Sequence, residues 1–239
     1  MSTAAIPRIA VVAAGAMGSA VAKRLTKAGC TVYTNMDGRS DASRQRALDA
    51  GMIDVPLSDI VRKASWILSI LPPRDAFSFA EKIRAETNSL IGDNGHLTES
   101  LVFADCNAVS PATVKRIAGL FESTSIKFID AGIIGGPPTE NYNPTFYASV
   151  DPKDEKVLDE FTALSKYGLK VAPLKGEGAG IGDASALKMS YAGISKGTTG
   201  LLTAMVLGEF CTFGLQIYEI ADHGEQLRMR RRRQRLMRC

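Results

Sequence analysis

Residues Ile9 to Val12 form a short apolar run, Ile-Ala-Val-Val, that breaks into Ala-Ala-Gly-Ala-Met-Gly over Ala13 to Gly18. Ser19 to Leu25 then continue directly in a helix-forming pattern. A strand, a tight glycine turn and a helix start make the opening βα unit of an α/β fold, and few other architectures use all three in that order. The arrangement aims backbone N–H groups and the positive end of a helix dipole at one point, which is what a pyrophosphate needs. The spacing departs from Gly-x-Gly-x-x-Gly only at the first place, which is Ala13. Gly15 falls where the backbone approaches the phosphates, and Gly18 where helix and strand pack closely. A dinucleotide site is therefore expected to include Gly15, Ala16, Met17 and Gly18.

The next segment extends that expectation. Gly29 closes the helix, and Cys30 to Asn35 reads as a β-branched second strand. Asp37 follows, at the distance where an acidic residue accepts hydrogen bonds from an adenosine ribose. Beyond it, Gly38-Arg39-Ser40-Asp41-Ala42-Ser43-Arg44-Gln45-Arg46 places three arginines and two serines at a helix start. Arginine grips a phosphate with paired donors, so Arg39 and Ser40 are expected at a ribose 2′-phosphate. The expected cofactor is NADP, with NAD as the alternative; the alternative for the arginines is an ordinary solvated helix start.

Strand and helix patterns alternate from residue 8 to about residue 172. Further strands are expected at Trp66 to Leu71, Leu101 to Asp105, Lys127 to Asp130, Phe146 to Val150 and Leu169 to Val171. Helices are expected at 41–50, 57–63, 75–86, 111–121 and 153–166. This alternation implies a doubly wound parallel sheet, with ligands beyond the carboxyl ends of its strands. Polar and turn residues gather at those ends: Leu71-Pro72-Pro73, Asp105-Cys106-Asn107 and Asp130-Ala131-Gly132. Ser110 before Pro111 reads as a helix N-cap. From Gly176 the texture changes to a glycine-rich segment and then a long apolar helix, expected over 183–213. The expected organisation is a Rossmann domain over 1–178, an interdomain helix and unfinished helical domain over 179–227, and a basic tail over 228–239. Such an apolar helix needs partners, and a second copy of the chain is the expected one.

Composition excludes several classes. Of 239 residues 45% are hydrophobic and 23% charged, the balance of an ordinary globular chain, with no signal-peptide pattern or membrane-length apolar run. Cys30, Cys106, Cys211 and Cys239 lie far apart and only His96 and His223 accompany them, so neither a disulfide framework nor a metal site is expected. A reducing, cytoplasmic setting follows as the default. Seven arginines fall within residues 228–239, which hold no acid, so the net charge of +4 turns negative for the rest of the chain. That tail has no aromatic residue to stack on bases, and a nucleic acid is not the expected partner.

Four segments together resemble the β-hydroxyacid dehydrogenase and 6-phosphogluconate dehydrogenase superfamily. They are Ala13 to Gly18 with its Met-Gly ending, Leu71-Pro72-Pro73, Phe128 to Gly136, and Gly180 to Lys188. The resemblance runs from residue 8 to about 220 and is nearest to a phosphogluconate-dehydrogenase-like branch. It implies a dehydrogenase or reductase acting on a small-molecule alcohol or hydroxyacid, with Lys188 as the acid–base that moves the hydroxyl proton. An amine in a partly closed cleft loses hydration, which favours the neutral base. The resemblance also places Leu71, Pro72 and Asn107 at the cofactor, and Gly135 and Gly136 at the substrate. Two positions depart from it. Ile134 stands where the family has a serine before the paired glycines, and Ala192 where it has an asparagine four residues after the lysine. Those departures make a cofactor-binding protein without catalysis the alternative function.

Overall fold

The computed structural model describes residues 6–92 and 101–208. Among the described residues eight strands form one sheet in the order β3-β2-β1-β4-β5-β6-β7-β8. They are β1 (Arg8–Val12), β2 (Thr31–Thr34), β3 (Ile53–Asp54), β4 (Trp66–Ser69), β5 (Val102–Asp105), β6 (Lys127–Ile134), β7 (Thr145–Ser149) and β8 (Lys170–Pro173). The helices are α1 (Ala16–Lys27), α2 (Asp41–Asp49), α3 (Leu57–Lys63), α4 (Ala76–Gly92), α5 (Pro111–Gly119) and α6 (Glu155–Thr162). A further helix, α7, covers residues 183–208 among the described residues. Compactness divides the chain between Tyr191 and Ala192, so the start of α7 belongs with the sheet.

Both faces of the sheet are covered, which is why β1, β4 and β5 read as unbroken apolar runs rather than alternating ones. Ile9, Val11, Leu68 and Ala104 face a core with Leu25 of α1, Ala47 of α2 and Phe161 of α6. Ala10, Val12, Ile67 and Phe103 face the opposite core, with Ile60 of α3, Ile83 of α4 and Ile117 of α5. The second core centres on Phe103, whose ring lies 5.0 Å from Phe121, 6.0 Å from Phe79 and 6.1 Å from Phe128. Those are separations at which aromatic pairs add to simple burial.

Two features differ from the expected sheet. The pair β6–β7 is antiparallel, while every other pair is parallel. Residues 135–144 carry no helix, and a parallel crossover needs a dozen or more residues to return to the sheet, so β7 comes back as a hairpin. The edge strand β3 was not expected. It is two exposed residues long and offers no periodicity to read. Smaller differences concern ends: α4 runs on to residue 92, and α6 gives way to 3₁₀ turns over Ala163–Tyr167. His96, the end of the expected 183–213 helix, His223, Cys211, Cys239 and the basic tail lie outside the described residues.

Candidate active site

The strand order reverses between β1 and β4, because β2 and β3 extend the sheet one way and β4 to β6 the other. A crevice opens beyond the carboxyl ends at such a point. Here its two walls are tied together: Ile70 N–H donates to Val12 O at 2.8 Å and Ala13 N–H to Ile70 O at 3.4 Å. On the β1 side, Gly15 is the residue that begins α1, with extended backbone and no capping side chain. The N–H groups of the first turn, at Ala16, Met17 and Gly18, are thus left for an outside acceptor.

The two glycines have different reasons to be glycine. A Cβ on Gly18 would lie 2.0 Å from the Ala13 carbonyl oxygen, so this residue must be bare for α1 to pack on the turn. A Cβ on Gly15 would meet nothing within 4 Å among the described residues. Gly15 and Ala16 are exposed, and Met17 is half-buried against the core. The open face at Gly15 is the shape a phosphate group fills, and the residues present fit a dinucleotide. Ala13 is accommodated, with 9% of its surface exposed.

At the end of β2, Asp37 is exposed and oriented by Asn35, whose Nδ2 donates to Asp37 Oδ2 at 2.9 Å. The three arginines that follow separate into different roles. Arg44 pairs with Asp54 at 3.7 Å, and Arg46 Nε donates to Ala14 O at 2.9 Å, bracing the glycine turn from α2. Arg39 and Ser40 are exposed, and Ser40 Oγ donates to Ser43 Oγ at 3.2 Å. Among the described residues, Arg39 is the arginine of the three without a side-chain partner.

The other wall is built by Asn107. Its Oδ1 accepts from Leu71 N–H at 2.6 Å and its Nδ2 donates to Ser69 Oγ at 2.9 Å, while its own N–H donates to Asp105 Oδ1 at 2.9 Å. One buried asparagine therefore fixes the turn at Leu71, which is half-buried, and Pro72, which is exposed. Asp105 is 1% exposed; its second oxygen has no partner among the described residues, and burial pushes its carboxyl up to about 6.

Strand β6 outruns β5. Its last partner on β5 is Asp130, opposite Asp105, and Ala131 to Ile134 pair only with β7. This overhang meets the start of α7. A Cβ on Gly132 would lie 2.9 Å from Ala184 O and 3.0 Å from Lys188 Cβ, so Gly132 permits the close approach of helix to strand. Lys188 is half-buried there, and its Nζ donates to Ile133 O. Gly135 begins the hairpin loop with φ 128°, and a Cβ on it would strike the Tyr142 hydroxyl at 2.0 Å. Arg24 of α1 holds that loop, donating to Thr139 O at 2.6 Å and Tyr142 O at 3.3 Å. Gly136 is exposed beside it.

A family model described as the NAD binding domain of 6-phosphogluconate dehydrogenase matches residues 8–172. The chain belongs to that family. A conserved protein of unknown function, described as structurally similar to 3-hydroxyacid dehydrogenases, is 28% identical with a TM-score of 0.65, covering 84% of this chain and 71% of that one. The 3-hydroxyisobutyrate dehydrogenase of Mycobacterium tuberculosis, solved with L-serine, is 18% identical with a TM-score of 0.60, over 85% of this chain and 67% of that one. An imine reductase from Myxococcus stipitatus in complex with NADP+ is 19% identical with a TM-score of 0.64, over 83% and 65%. A search of the curated proteins gives no match. Residues 8–172 are thus an NAD(P)-binding domain of the hydroxyacid-dehydrogenase-like kind. Among the described residues no helix is long and apolar enough to cross a membrane, and no cluster of His, Cys, Asp and Glu could hold a metal.

Sequence reasoning noted Asp105 and Asp130 only as polar strand ends, and it missed Arg24 and the bracing role of Arg46. The paired aspartates in otherwise apolar strands were a signal, since a buried carboxylate needs a reason. Arg24 gave none, because a helix arginine looks the same whether it meets solvent or a distant loop.

Proposed function

We propose that the chain is an NADP-dependent oxidoreductase acting on a secondary alcohol or hydroxyacid and its carbonyl partner, with Lys188 as the acid–base. The observation that carries this reading is the place of Lys188. Its amine is held at the carboxyl edge of β6, the same edge of the sheet at which the Gly15 turn and the Leu71 turn fixed by Asn107 stand. The nicotinamide, when bound, supplies the hydride acceptor or donor. Ala16, Met17 and Gly18 offer N–H groups to the pyrophosphate, Asp37 accepts from the adenosine ribose, and Arg39 with Ser40 receives the 2′-phosphate. Asn107 acts by fixing Leu71 and Pro72 as the wall of the crevice. The amine of Lys188 takes the proton of the substrate hydroxyl in oxidation and returns it to the carbonyl oxygen in reduction. The backbone around Gly135 and Gly136 would orient an anionic substrate group.

One observation favours a second reading, binding without turnover: Ile134 is apolar where a serine would hold the substrate. Both readings are tested by NADPH- and NADH-linked assays across a panel of hydroxyacids, secondary alcohols and carbonyls, with Lys188→Ala beside the parent protein. Turnover that Lys188→Ala lowers by about a hundredfold or more, with cofactor affinity kept, supports the oxidoreductase. Tight cofactor binding without turnover on any of them supports the second reading. Turnover that survives Lys188→Ala removes the lysine from the mechanism.

A further inference from the structure

Helix α7 begins at a glycine and has no side chain of its own to cap it. Gly182 O accepts the first helical bond, from Ala186 N–H at 2.8 Å, and its φ of 111° excludes the serine, threonine or aspartate that usually stands there. The early N–H groups of the helix would be left orphaned in a buried place. They are satisfied from the sheet. Asp130 Oδ2 accepts from Gly182 N–H and from Ser185 N–H, each at 3.0 Å, and Asp130 Oδ1 accepts from Ser185 Oγ at 2.8 Å. Ser149 of β7 takes the remaining position: its Oγ accepts from Ala184 N–H at 3.2 Å and donates to Asp130 Oδ2 at 3.4 Å. Asp130 and Ser185 are each 1% exposed, and Ser149 and Ala184 are fully buried.

This is more bonding than a local cap provides, and it has a geometric consequence. An ordinary cap moves with its helix, whereas Asp130 is anchored in β6 and fixes α7 in height and rotation against the strand. Lys188 lies three residues beyond Ser185, on the same helix face. Two residues beyond Asp130 along β6, Gly132 is the point of close approach, and the next carbonyl, Ile133 O, is the acceptor of the Lys188 amine. Cap, contact and acceptor are thus consecutive features of one strand, read by one turn of one helix.

We propose that Asp130 is a positioning residue for Lys188: its carboxylate, together with Ser149, caps α7 from the sheet and sets where the lysine amine stands at the site. The inference uses the reading of Lys188 as acid–base, but its test does not, because it follows the lysine itself rather than turnover. Lys188 is labelled in the full chain by an amine-acylating reagent, and its rate is followed by peptide mass spectrometry in the parent protein, Asp130→Ala, Asp130→Asn and Ser185→Ala. Loss of the cap frees the amine from Ile133 O, so Asp130→Ala is expected to raise the Lys188 rate by about tenfold while other lysines, such as Lys23 and Lys27, stay within about twofold.

Asparagine keeps the shape, one acceptor oxygen for the two N–H groups and a donor for Ser185 Oγ, so Asp130→Asn should return close to the parent rate. That rescue separates position from charge, since both substitutions remove the negative charge. Ser185→Ala removes one bond and serves if Asp130→Ala does not fold; it should raise the rate by a few-fold. An unchanged Lys188 rate in Asp130→Ala, or in Ser185→Ala where only that variant folds, overturns the proposal. So does an equal change in Asp130→Ala and Asp130→Asn, which would mean charge rather than position.

Discussion

Asp105 is a buried carboxyl group whose ionisation the fold opposes. It ends β5 opposite Ser69 on one side and Asp130 on the other, and is 1% exposed. One oxygen accepts from Asn107 N–H and the other has no partner among the described residues. Burial raises its carboxyl from 3.8 to about 6; the hydrogen bonds with Asn107 pull it down, and the neighbouring charge of Asp130 pushes it up again. In the unfolded chain the group ionises near 3.8, so between that pH and about 6 the folded protein holds a proton that the unfolded chain has released. Ionised Asp105 therefore subtracts from stability. The cost is absent below pH 3.8 and complete above about pH 6. Two pH units correspond to about 3 kcal/mol.

The substitution Asp105→Asn keeps the shape and the oxygen that accepts from Asn107 while removing the ionisation. Burying the new amide hydrogens costs about 1 kcal/mol at either pH, so a net gain of about 2 kcal/mol is expected at pH 8 and a loss of up to about 1 kcal/mol at pH 4. Urea unfolding at both pH values gives the difference directly. Trp66, the single tryptophan, is 7% exposed in the core and reports the transition by fluorescence. A gain of equal size at both pH values, or a loss at pH 8, would refute the reasoning.

Two further predictions concern the scaffold. Phe103→Ala opens a cavity among Phe79, Phe121 and Phe128 and should cost about 3–5 kcal/mol in the same unfolding assay. Arg24→Ala releases Thr139 O and Tyr142 O, so amide hydrogen exchange over residues 135–144 should quicken by about tenfold with the global unfolding midpoint nearly unchanged.

The sheet and most of its helices were legible because both faces are covered and each strand is a short apolar run between turn signals. Helix α3 and the Ser110 cap, which accepts from Thr113 N–H, were written locally and fall where the sequence places them. The antiparallel β7 was also written, in the helix-free stretch from Gly135 to Pro144, but alternation elsewhere argued for another parallel strand. The two-residue β3 exists only through pairing with β2, which no local pattern records. At the site, the glycine turn announced itself through spacing. The links from Arg46 to Ala14, Arg24 to Thr139 and Asp130 to Ser185 span 32, 115 and 55 residues, and nothing in the local sequence of either partner encodes them.

The measurement that bears most directly on the account is a fluorescence titration of the protein, of Gly15→Val and of Arg39→Ala with NADPH and NADH. Gly15 has open space where a side chain would go and extended backbone that valine adopts, so the variant should unfold like the parent. The account predicts micromolar binding to the parent, a loss of about tenfold or more for both cofactors in Gly15→Val, and a loss for NADPH alone in Arg39→Ala. Failure of the parent protein to bind either cofactor, or unchanged binding in a folded Gly15→Val, would contradict the cradle at β1 and α1 on which the assignment rests.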